Sequence, residues 1–175
     1  HLNRAIRTLE QKLRTRLSAA GDDANVRAVL DEAINDTILA AKPTDKTEVE
    51  QEFVWFRKAI GEFQFALTQP YWSVREKNQK GSGGLLSITI NPFNCKGCME
   101  CVKVCNDDAL RSIPQTAETI ERLRYDWDYW MALPTTSPEF IRIENLDERI
   151  GALETLLLDK KNYMSLAGGD GACLG

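Results

Sequence analysis

Four cysteines fall within eleven residues, at Cys95, Cys98, Cys101 and Cys105, and this run constrains the 175-residue chain more than any other feature. The spacing is C-x2-C-x2-C-x3-C, with Gly97 between the first two thiols and Asn106 directly after the last. Two-residue gaps let a backbone curl so that successive thiolates reach separate irons of a cubane, and this is the spacing of bacterial-type 4Fe-4S ligand runs. Gly97 allows a tight turn with no side chain in the way. Backbone N–H groups in such a curl point at the sulfides and favour the reduced, more negative cluster.

Zinc is the rival occupant. Structural zinc is usually held by two C-x2-C knuckles well apart in sequence, so that four ligands close a tetrahedron. Four thiols this close in sequence suit a cubane better, and metal-free buried thiols at this spacing rank last. One stereochemical difficulty stands. The fourth cysteine of such a run normally ligates the other cluster of a pair, and this chain has a single run. A partner run before residue 1 is the preferred answer; the others are that Cys105 closes its own cluster, or that Cys173 is a remote fourth ligand. Asn106 stands where the common pattern has Pro, which removes a rigid turn and opens the cluster edge to solvent.

The rest of the composition excludes more than it assigns. Five cysteines, four of them clustered, are not a secreted disulfide framework. With 22 Lys and Arg against 26 Asp and Glu the net charge is -4, so nucleic acid and anionic lipid exert no long-range pull and the expected partners are proteins. No apolar run approaches the roughly 20 residues of a membrane span, and no signal peptide is evident, so a cytoplasmic location is expected. The absence of an initiator Met and the stop soon after Cys173 read as a piece of a longer polypeptide. His1, the single histidine, reads as a remnant of a vector rather than a ligand.

The expected fold class is α+β and mostly helical, in three parts. Residues 1–80 are expected to form a helical hairpin or bundle, residues 81–115 a small ferredoxin-like 4Fe-4S module, and residues 116–175 a helical linker. Leu2, Ile6, Leu9, Leu13 and Leu17 form one helical stripe, stopped by Gly21, with Asp22 and Asp23 as caps for a second built on Val26, Leu30, Ile34 and Ile38. A third stripe runs Val49, Phe53, Phe56, Ile60, Phe63 and Leu67, opened by a Thr47/Glu50 capping box and ended by Pro70, and is read as core. Arg4, Arg7, Lys12, Arg14 and Arg16 are read as a solvated face of the first helix. Lys80-Gly81-Ser82-Gly83-Gly84 is expected to be a flexible break before a short strand over residues 85–90. Helical segments are expected over residues 117–133 and 147–158.

From Ile88 onward the chain resembles pyruvate:ferredoxin (flavodoxin) oxidoreductases and related 2-oxoacid oxidoreductases. Three features carry the likeness. Ile88-Thr89-Ile90-Asn91-Pro92 leads into the cysteine run as in the second cluster motif of that family; Tyr125-Asp-Trp-Asp-Tyr-Trp-Met-Ala-Leu133-Pro134 resembles its aromatic segment; Gly171-Ala172-Cys173-Leu174-Gly175 resembles the start of its Gly-Ala-Cys-x-Gly-Cys-Gly-Glu motif. The likeness covers about half the chain and residues 1–80 fall outside it. The 94 residues before Cys95 hold no cysteine, so the family's first cluster motif is absent there.

The resemblance implies an electron-transfer segment of a thiamine-dependent 2-oxoacid oxidoreductase, with ferredoxin or flavodoxin as acceptor. It also implies thiamine diphosphate and magnesium in the parent protein only, a homo-oligomeric parent, and Cys173 as a ligand of the cluster nearest the thiamine. Gly169-Asp170-Gly171 lacks the following Asn of a magnesium-diphosphate motif and is read as a glycine-rich approach to Cys173. No nucleophile-base pair is evident, so the segment is not expected to be catalytic alone. The competing function is a scaffold segment whose four-cysteine site is empty or holds zinc.

Overall fold

A computed structural model of the chain describes residues 2–21, 24–141, 151 and 158–161. The described part is mostly helical. Three helices, α1 (Leu2–Ala20), α2 (Val26–Leu39) and α3 (Lys46–Ile60), form the body. They pack because each carries an apolar face: Ala5 and Leu9 of α1, Leu30, Ala33 and Ile34 of α2, and Val49, Phe53 and Ile60 of α3 make one buried cluster, joined by Phe63. Each such side chain, fully buried, contributes roughly 1.5–3 kcal/mol of transfer free energy. A second cluster joins Leu17 and Val26 to Leu67 and Trp72.

Local chemistry sets the helix limits. Gly21 follows α1 at φ 76°, and Asn25 caps α2 by accepting the Ala28 N–H at 3.0 Å, while Asp22 and Asp23, the expected caps, lie outside the described residues. The third stripe is shorter as helix than its periodicity suggests. α3 ends at Gly61 (φ 56°), and its N-cap is Asp45 with no side-chain cap bond, so the Thr47/Glu50 box does not form. Phe63 and Leu67 keep their buried places from non-helical backbone. Of the aromatics on that stripe, Phe56 is exposed rather than core. Pro70 lies in a π-helical turn (Gln69–Ser73) that runs directly into the short helix α4 (Val74–Asn78).

The basic residues of α1 are not simply solvated. Lys12 donates to the Asp36 carbonyl oxygen at 2.9 Å, and Arg16 pairs with Glu32 at 2.7 Å and with Asp36. Arg14 reaches Glu76 at 3.4 Å and the Gly83 carbonyl at 3.3 Å while its guanidinium lies over the Trp72 ring. Arg4 and Arg7 stay exposed.

The glycine-rich segment read as a flexible break is an anchored turn. The Gly81 and Gly83 N–H groups both donate to the Glu76 carboxylate at 2.9 Å, and the Gly84 N–H donates to the Tyr71 carbonyl at 2.8 Å. A Cβ on Gly83 would meet Glu76 and Trp72 at 2.8–2.9 Å, so this glycine is there for close approach. The strand expected over residues 85–90 is reduced to one antiparallel bridge between Ala66 and Leu86, and no strand occurs among the described residues. A lone bridge leaves the other backbone groups of that segment without a ladder.

Beyond it come α5 (Glu100–Lys103), α6 (Ala117–Ala132) and α7 (Pro138–Ile141). α6 starts at a Thr116/Thr119 capping box. Trp127 is buried, Tyr129 packs on Phe63 at 4.8 Å, and Trp127 and Trp130 stack at 5.0 Å. α7 is held by Arg75, which pairs with Glu139 at 2.8 Å and lies 4.3 Å over Phe140. Lys160 donates to the carbonyls of Trp130, Met131 and Leu133 at the end of α6. Of the helix expected over residues 147–158 only Gly151, left-handed at φ 85°, and Leu158, in a turn, are described, and neither is helical; Gly169-Asp170-Gly171 and Cys173 lie outside the described residues. No described helix is long and apolar enough to cross a membrane.

Candidate metal centre

The cysteine loop begins at an Asn91 turn. Its side-chain Oδ1 accepts the Phe93 N–H at 2.9 Å and its carbonyl accepts the Cys95 N–H at 3.0 Å, so the chain reverses just before the first thiol. Gly97 then adopts φ 65° and Met99 φ 67°. Two left-handed residues with one between them curl the backbone tightly around Cys98. The first is a glycine, as that conformation favours; the second carries a side chain at a cost of roughly 1–2 kcal/mol. α5 follows for one turn and carries Cys101, with Glu100 and Lys103 paired at 2.5 Å on its surface.

Cys95, Cys98 and Cys101 are exposed, Cys105 is half-buried, and all four are free thiols. Cys105 differs from the others. The Ala109 N–H donates to its Sγ at 3.3 Å, in a turn where Asp108 takes φ 51°. N–H groups of Leu110, Ala109 and Asp107 together hold its thiol below the ordinary range, against the nearby Asp107 charge and partial burial. Hydrogen bonding to the charged form is what favours a thiolate at that sulfur.

Among the described residues no three His, Cys, Asp or Glu side chains gather closely enough to hold a metal ion. The four thiols share one loop without converging on a point. The donor set is four thiols on one exposed loop, a chemistry that suits a cluster and thiolate-bound zinc alike.

The loop also lacks a core of its own. No side chain in residues 87–116 is buried, and Ile88, Phe93 and Val104 are 77%, 64% and 72% exposed. What ties the loop to the rest is α6. Tyr125 donates its hydroxyl to the Lys58 and Ala59 carbonyls at 2.9 and 2.8 Å, Arg122 pairs with Glu62 at 3.7 Å, and Arg124 lies 5.6 Å from the Phe93 ring centroid. Phe93 and Arg124 are absent from any reading by cysteine spacing. Proximity of Phe93 to Cys95 in sequence was the sole available sign of one, and nothing in the sequence marked the other.

Fold and site together define a helical body that presents an exposed four-cysteine loop. In comparison with known proteins, the chain is 37% identical over 65 residues to a pyruvate dehydrogenase [NADP(+)] from Cryptosporidium parvum, a match covering 37% of the chain and 3% of that protein. This is a coarse link to the pyruvate oxidoreductases, since the chain matches only a small part of that relative's length. No family model matches the chain, and no solved structure matches it.

Proposed function

We propose that the chain is the 4Fe-4S electron-transfer segment of a thiamine-dependent 2-oxoacid oxidoreductase. The observation that carries this reading is the C-x2-C-x2-C-x3-C run on an exposed loop with every thiol free. The match to a protein with pyruvate in its name supports the oxoacid part. Cys95, Cys98 and Cys101 hold the cluster. Cys105, drawn toward its own backbone N–H groups, completes it or serves a neighbouring cluster, and Cys173 remains the candidate for the cluster nearest the thiamine. When bound, such a group stores and passes one electron at a time.

The chain's own residues do the rest. Gly97 and Met99 set the curl, Asn91 fixes its start, and α6 holds it on the helical body. Exposure of the loop brings it within reach of a carrier, ferredoxin or flavodoxin, while the name of the relative puts NADP(+) beside these as an acceptor for the parent. Thiamine diphosphate and magnesium belong to the parent, as do oligomerisation and turnover; this segment is not catalytic alone, and its place is the cytoplasm.

The test is anaerobic reconstitution with iron and sulfide. A broad visible absorbance that bleaches on dithionite is expected, whereas colourless protein holding stoichiometric zinc contradicts the reading. A scaffold role is the second reading, favoured by the helical body, whose core involves no cysteine, and by the lack of convergence among the thiols. Deleting residues 1–80 from the parent separates the two. The scaffold reading requires assembly to fail, and intact assembly with intact activity removes it.

A further inference from the structure

The charges within residues 88–113 cancel: Lys96, Lys103 and Arg111 stand against Glu100, Asp107 and Asp108. The loop therefore brings no net side-chain charge of its own to the thiolates. Arg124 comes from another element. Its guanidinium carbon lies 5.6 Å from the centroid of the Phe93 ring, within the range of a cation–π contact, and Phe93 stands two residues before Cys95. The backbone relay is short. The Phe93 N–H is held by the Asn91 side chain, and the Asn91 carbonyl holds the Cys95 N–H. α6 is a firm base for this contact, because the neighbouring Tyr125 is hydrogen-bonded to the end of α3 and Trp127 is buried.

Resting on the cluster reading above, we propose that Arg124 is a positioning residue: through Phe93 it holds the entry of the cysteine loop on α6, and it supplies that loop with a positive charge from outside. A cation at that end favours the more negative, reduced state of a bound cluster. Its effect weakens with salt, since the contact is exposed.

The test uses the whole chain as wild type, Arg124→Gln, Arg124→Lys and Phe93→Leu, with two readouts. In the metal-free protein, hydrogen exchange at the Cys95 amide is expected to be several-fold faster in Arg124→Gln and Phe93→Leu than in wild type, with the α2 amides unchanged. In the reconstituted protein, a potentiometric titration followed by electron paramagnetic resonance reads the reduced-to-oxidised ratio at the wild-type midpoint. That ratio is expected to fall about threefold to tenfold in Arg124→Gln, where tenfold corresponds to about 59 mV for one electron. Arg124→Lys is expected to restore most of it. Wild-type exchange in Arg124→Gln overturns the positioning role, and a wild-type midpoint overturns the charge role. Faster exchange with no cluster taken up by any of the four proteins retires the cluster reading and the charge role while supporting the positioning one.

Discussion

Tyr125 closes over Gly61. A Cβ on Gly61 would lie 2.9 Å from Tyr125 Cε1, and the same tyrosine donates its hydroxyl to the carbonyls of Lys58 and Ala59, the unpaired acceptors at the end of α3. One side chain thus caps a helix of the body and fixes α6, the helix that carries the cysteine loop. Gly61 is left-handed at φ 56° as well as crowded. Gly61→Ala is expected to destabilise the body by roughly 1–3 kcal/mol through strain and overlap. Tyr125→Phe, which keeps the ring, is expected to cost about 0.5–1.5 kcal/mol. Urea unfolding followed by far-ultraviolet circular dichroism measures both, and wild-type stability in either variant contradicts the account.

Ile34 is fully buried between α1, α2 and α3. Ile34→Ala is expected to cost about 2–5 kcal/mol, the range for buried aliphatic truncations. The same denaturant titration reads it, and a loss near zero means that the three-helix core is not packed as described.

Much of this body was legible in the sequence. The stripes of Leu9 and Leu17, of Leu30 and Ile34, and of Val49 and Phe53 put the helices where they are, because burial of an apolar face follows the 3.6-residue period directly. What periodicity could not reveal was where α3 stops. Phe63 and Leu67 stay in register and stay buried, yet Gly61 has already turned the backbone out of the helix. The glycine-rich turn was misread for a related reason: its order comes from Glu76 and Tyr71, tertiary partners that local composition does not announce. At the site, cysteine spacing marked the candidate ligands and the loop that presents them. The N–H groups on Cys105 and the Arg124–Phe93 contact depend on turns and packing that spacing does not encode.

The carboxylate of Asp126 carries the pH prediction. One of its oxygens is buried without a hydrogen-bond partner, and desolvation raises its pKa, aided by Glu62 and opposed by Arg122. The folded state therefore binds this proton more readily than the unfolded state does. Stability falls as pH rises from the ordinary carboxylate value through the raised folded one, and the full cost is present at neutral pH. Asp126→Asn is expected to stabilise the chain by roughly 0.5 kcal/mol at neutral pH, a small figure because the residue is only partly buried. The gain should vanish in acid below the ordinary carboxylate range. Thermal unfolding across pH checks it, and a gain that grows toward acid contradicts the assignment.

Met99 sits left-handed at φ 67° next to the third cysteine's helix. Met99→Gly relieves that strain and is expected to slow loss of a reconstituted cluster severalfold while leaving body unfolding unchanged. Gly97→Ala adds strain at φ 65° and is expected to speed that loss. Decay of the visible absorbance under a chelator reads both, and faster loss in Met99→Gly or slower loss in Gly97→Ala contradicts the described curl.

Cys101→Ser and Cys105→Ser are expected to part company. Cys101 is exposed on α5, whereas the Cys105 sulfur is engaged by the Ala109 N–H. Loss of Cys101 should abolish cluster uptake, and loss of Cys105 should leave a weaker chromophore. Iron content after reconstitution reads both, and complete loss in Cys105→Ser makes that residue an indispensable ligand of the same cluster.

The central claim is that the loop over residues 95–105 carries an electron-transferring cluster. Anaerobic reconstitution of the whole chain, followed by iron and acid-labile sulfide analysis and electron paramagnetic resonance after dithionite, tests it most directly. Iron and sulfide in equal amounts, with a signal that appears on reduction, are the predicted result. Protein that stays colourless and silent, or that takes up zinc alone, contradicts it.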